Sequence, residues 1–118
     1  MSPARSGVLR KLPRTPFLIS LVTASLSAHA AAPSEAVLHE CTSLSEMAKG
    51  IMEARQDEVS MAKMMAIKTG DQYTDDLTAA LVEDAYSKPA YSSRANKKSA
   101  MSEFENKWFA ACLRSKSS

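Results

Sequence analysis

The sequence predicts an all-α fold of three helices stapled by one disulfide: a long helix, a short crossing helix and a second long helix. Three observations carry that expectation. Apolar residues recur at helical spacing through the chain from Val37 onward, and no run of β-branched alternation occurs after Thr23. Helix-forming Ala, Met, Lys, Glu and Arg dominate the same region. Cys41 and Cys112, the only two cysteines, stand near its two ends. The expected layout is a leader over residues 1–30 and a single helical domain over 31–118, folded from about 37 to 114.

The leader has the three parts of a secretory signal. Arg5, Arg10, Lys11 and Arg14 form a positive head, Phe17 to Leu26 an apolar run, and Ala28-His29-Ala30 a small-residue exit. Signal peptidase requires small side chains at −3 and −1, so the cut is expected between Ala30 and Ala31. The apolar run of ten residues is too short to cross about 30 Å of hydrocarbon. A mitochondrial presequence is the rival reading, since the segment carries Arg and Ser and no acidic residue. The continuous apolar run and the A-x-A exit favour secretion to the periplasm or beyond, with no stable membrane anchor after cleavage.

Export gives the charge and the cysteines their meaning. Four of the 15 Lys+Arg lie in the leader, which leaves 11 against 13 Asp+Glu, so the net charge of +2 becomes −2 from Ala31 onward. Nucleic acid needs clustered positive charge. Arg94 with Lys97-Lys98 is the densest basic spot, and a solvated helix face accounts for it, so no nucleic-acid partner is expected. In an oxidising compartment Cys41 and Cys112 read as one disulfide. A loop of that size stabilises by about 4 kcal/mol on the chain-entropy model.

The first helix is expected from Val37 to about Lys68. Leu44, Ala48, Ile51, Arg55, Val59, Ala62 and Ala66 follow at steps of three or four, no Pro interrupts them, and Gly70 provides the stop. Thr74 is the expected cap of the second helix, with Asp75 and Asp76 in its first turn and Pro89 ending it by Ser87 or Lys88. Ser92 or Ser93 caps the third, in which Met101, Phe104, Trp108, Ala111 and Cys112 share a stripe. A Cys41–Cys112 bond makes the long helices antiparallel neighbours, with Leu44 level with Trp108 and Ile51 with Met101. The middle helix then covers the open end of the hairpin.

Few residues suggest chemistry. Arg55 stands in an apolar stripe: its stem covers core while its head reaches water, or it pairs with Asp84 or Glu83. Met61, Met64 and Met65 form a thioether cluster that would suit Cu(I). The same spacing is ordinary helix packing, and His39 lies far upstream, so no metal and no cofactor is expected. Gly50 either permits a close approach or is a tolerated surface residue. With His39 the sole histidine after the leader, no G-x-S-x-G, no H-E-x-x-H and no phosphate-cradling loop, no enzyme is expected. Tyr86, Tyr91 and Arg94 flank Pro89, and these residue types are enriched at protein interfaces.

Taken together, Cys41, the Ala54-Arg55-Gln56 triplet, Ala85-Tyr86 followed by Pro89, the Phe104/Trp108 pair and Cys112 resemble small exported helical proteins of Gram-negative bacteria that have no assigned activity. The resemblance implies a periplasmic setting and a shared fold. A likeness to periplasmic acid-stress chaperones is architectural, because the cysteines here are spaced more widely. The expected function is a non-enzymatic protein-binding module, an inhibitor, immunity-type protein or envelope accessory factor acting on another exported protein. The alternative is an acid-activated holdase whose 13 carboxylates neutralise as pH falls. Met-based Cu(I) handling is third.

Overall fold

The computed structural model describes residues 31–117; the expected leader, residues 1–30, lies outside them. Four helices, not three, make up the described chain, and none of it is strand. They are α1 (Glu35–Gln56), α2 (Met61–Met65), α3 (Gln72–Tyr86) and α4 (Arg94–Lys116).

Ser34 caps α1 by accepting the Val37 N–H, and Glu35 sits in the first turn where the helix dipole favours a carboxylate. The expected run to Lys68 stops at Gln56. There the Glu58 N–H donates to Arg55 O (3.1 Å) and the Val59 N–H to Ala54 O (3.0 Å), with Glu58 at φ 62°. This bonding closes a helix through one left-handed residue, a place usually held by Gly. A Glu there gives no sequence signal of a stop, and the apolar stripe continues across it. Ser60 then starts the five-residue α2 by capping Lys63.

The cap of α3 is Asp71, not Thr74. Asp71 Oδ2 accepts both the N–H (2.8 Å) and the hydroxyl (2.6 Å) of Thr74, which lies inside the first turn. The helix starts earlier because Gly70, at φ 89°, turns the chain immediately before it. Ser87 closes α3 two residues before Pro89, and Ser93 caps α4 by accepting the Asn96 N–H.

Cys41 and Cys112 are joined, with Cα atoms 5.5 Å apart. The bond links the start of α1 to the end of α4. Lys116–Glu40 (2.7 Å) and Lys49–Glu105 (3.5 Å) pair the same two helices further along, so α1 and α4 run antiparallel. The core between them and α3 consists of Ala48, Ile51, Met52, Leu81, Val82, Ala85, Ala100 and Phe104. Ser45, Gln56 and Thr78 are the buried polar residues, and no buried side-chain polar atom among the described residues lacks a hydrogen-bond partner.

Candidate interaction surface

The connector between α3 and α4, residues 87–93, is held by the last turn of α1. Arg55 Nε donates to Lys88 O (2.9 Å), and Gln56 Nε2 to Pro89 O (2.9 Å). Gln56 Oε1 accepts the Tyr91 N–H (2.8 Å). Lys97, one turn into α4, donates through Nζ to the Gln56 main-chain carbonyl (2.6 Å). That ammonium serves a carbonyl left open at the C-terminus of α1, where the helix dipole also favours a cation. Helix ends thus fix a loop that has no regular structure of its own.

Arg55 is half-buried and pairs with neither expected carboxylate. Besides its bond to Lys88, its guanidinium lies 5.1 Å over the Tyr86 ring. Asp84 is taken by α4: its Oδ2 accepts from Lys107 Nζ (2.7 Å) and Trp108 Nε1 (2.9 Å). Glu83 is exposed. The physical reason is facing: within the last turn of α3, Asp84 is bonded to α4 and Glu83 is exposed, whereas Tyr86 and the loop after it meet Arg55.

The Tyr86 hydroxyl donates to the Val59 carbonyl, just beyond the left-handed turn at Glu58. Burial raises its pKa above the usual phenol value, partly offset by the Arg55 charge. The structure therefore unites Arg55 and Tyr86. Tyr91 and Arg94 remain apart from that pair: no hydrogen bond or cation–π contact joins their side chains to it among the described residues. Tyr91 is 39% exposed and Arg94, the first residue of α4, is exposed. Beside Tyr91 a groove of ≈ 210 Å³ has Met52 and Phe104 among its lining residues, with Lys88 and Lys107 also along it.

Gln56 was not foreseen as a site residue, although it is only 2% exposed and makes more inter-element bonds than Arg55. Its one signal is a polar residue beside Arg55 at the end of an apolar stripe. Lys97, taken as part of a solvated face, is a helix-end ligand instead.

A larger groove of ≈ 340 Å³ runs between α1, α3 and α4, walled by Leu44, Met47, Leu77 and Trp108, with Tyr73, Glu40 and Lys116 also among its lining residues. Leu44 and Trp108 thus share one groove, as the disulfide register requires. Met64 and Met65 are half-buried and pack against the core, whereas Met61 is 39% exposed. His39 is exposed on the second turn of α1. Among the described residues no group of three or more His, Cys, Asp or Glu is placed to hold a metal, and no helix is long and apolar enough to cross a membrane. No protein-family model matches the chain, and comparison with curated proteins and with solved structures finds no match.

Proposed function

We propose that the chain is a non-enzymatic protein-binding module of the periplasm, exported through residues 1–30 and acting on another exported protein as an inhibitor, immunity-type or envelope accessory factor. Its contact surface is the 87–93 connector with the first residue of α4, Tyr91 and Arg94 being the anchors. One observation carries the reading: three hydrogen bonds tie the connector to Arg55 and Gln56 at the end of α1, and a fourth joins Lys97 of α4 to the Gln56 carbonyl, yet Tyr91 stays 39% exposed. A loop ordered before it meets a partner loses little freedom on binding, and Tyr and Arg are the residue types that most often carry interface energy.

The test is a native mass spectrum of the protein released gently from its host's periplasm. A stoichiometric heterocomplex is expected, with the chain beginning at Ala31. A Tyr91→Ala, Arg94→Ala variant is expected to keep its melting temperature and lose the partner. A heterocomplex indifferent to both substitutions would move the contact elsewhere; a bare monomer at native abundance would remove the reading.

The second reading is an acid-activated holdase, favoured by Asp71 and Asp75. Hydrogen bonds from Thr74 hold the first below the usual carboxylate range, and bonds from Thr69 do the same for the second. Such groups couple folding to pH in strong acid.

A further inference from the structure

Residues 59–69 are bounded by two left-handed residues, Glu58 at φ 62° and Gly70 at φ 89°. Between them α2 has five residues and none is fully buried. Met64 and Met65 rest against the core, while Met61 and Ile67 are 39% and 47% exposed. The segment is fastened at both ends to α3. At one end the Tyr86 hydroxyl holds the Val59 carbonyl. At the other, Asp75 Oδ1 accepts the Thr69 N–H (2.7 Å) and the Thr69 hydroxyl (2.8 Å). Asp71 sets the second hinge: its N–H donates to Thr69 Oγ1 (3.3 Å), and its carboxylate caps α3 through Thr74.

We propose that residues 59–69 form a lid, hinged at Glu58 and Gly70, whose Thr69 end protonation of Asp75 releases from α3 while the disulfide-joined α1–α4 pair stays folded. A carboxylate accepts hydrogen bonds more strongly when ionised, and Asp75 is the acceptor for both latch bonds at the Thr69 end. Few buried contacts hold the segment otherwise, which is the physical mark of a unit that opens locally. Release uncovers Met64, Met65 and the α3 surface beneath them. Thioether side chains re-pack against apolar segments of varied shape, the property a holdase needs. The motion stands on the geometry alone; its use rests on the acid-holdase reading.

The charges around the latch are few. Asp75 opposes the ionisation of Asp71, and Lys68 of the lid favours that of Asp75. Asp76 follows on α3, and Lys63 is the one charged residue of α2. From α1, Arg55 meets α3 at Tyr86, and from α4, Lys107 meets it at Asp84, both in the last turn, while the Lys116–Glu40 pair of α4 and α1 lies beside Tyr73 in the first. With the Asp75 carboxylate held below its ordinary value of 3.8 by the Thr69 bonds, the latch is fully present above that pH. It is lost as pH falls through the lowered value.

Carbon-13 methyl NMR of the methionines in the disulfide-bonded protein tests the lid. On acidification the Met64 and Met65 methyls are expected to move together to the position of free methionine below pH 3.8, ahead of buried Met52. Thr69→Val is expected to raise that midpoint, and Asp75→Ala to shift both methyls at pH 7 with Met52 in place. Movement of all three in one step, or Met64 and Met65 holding until global unfolding, would overturn the lid. Light scattering of an aggregating client separates the two claims. An open lid without client protection leaves the motion and removes the holdase, whereas protection with the lid closed does the reverse.

Discussion

Gln56 Oε1 accepts the Tyr91 main-chain N–H at 2.8 Å, so the last residue of α1 sets the path of a loop 35 positions later. The same amide donates to Pro89 O, and Gln56 is only 2% exposed. A side-chain amide that both donates to and accepts from one short loop specifies its conformation more closely than an apolar contact could. Pro89 supplies no N–H of its own, so its carbonyl is the group that must be satisfied.

Gln56→Ala leaves the Pro89 carbonyl and the Tyr91 N–H without this partner and opens a small void. The expected cost is about 2–3 kcal/mol. Urea unfolding followed by circular dichroism measures it. Gln56→Glu restores size but replaces the donor to Pro89 O with an acceptor, so it is expected to fall well short of wild type.

Two glycine exchanges, one in α1 and one in the turn after it, are expected to stabilise in opposite chemical directions. Glu58→Gly relieves a left-handed residue with a side chain and gains about 0.5–1 kcal/mol. Gly50→Ala gains about 1 kcal/mol, because Gly50 is exposed and a Cβ there meets no atom within 4 Å. Each is expected to raise the melting temperature by a few degrees in calorimetry.

Reducing the Cys41–Cys112 bond removes a cross-link over 71 positions, worth about 4 kcal/mol on the chain-entropy model. Both cysteines are buried, at 0% and 7% exposure, so reductant is expected to act slowly on the folded protein and quickly in urea. Thiol quantitation over time with and without denaturant checks this.

Tyr86 is expected to ionise above the usual phenol value, so its hydrogen bond to Val59 persists below pH 10.0 and is lost as pH rises through the raised pKa. In an ultraviolet titration Tyr86→Phe is expected to delete a tyrosine step above pH 10.0. Loss of that hydrogen bond costs about 1 kcal/mol.

The helical class, the Cys41–Cys112 bond and the α3–α4 break at Pro89 were legible because each has a local mark: spacing, cysteine count and a residue that cannot continue a helix. The end of α1 was not, because its left-handed residue is Glu58 and the stripe from Ile51 to Ala62 runs on past it. Nor does the sequence single out Asp71 as the α3 cap, because Thr74 offers the same chemistry one turn later. Of the site, Arg55, Tyr86 and Tyr91 were visible as residue types. Their true partners were not, since a main-chain carbonyl such as that of Lys88 or Val59 leaves no trace in the sequence.

Photo-crosslinking in intact host cells tests the central claim most directly. A benzophenone amino acid is placed at Tyr91, at Arg94 and, as a control, at exposed Asn106 on α4. Positions 91 and 94 are expected to yield one and the same covalent partner, and position 106 none. No adduct at 91 or 94, or the same adduct at all three positions, would contradict the account of the connector as a protein-contact surface.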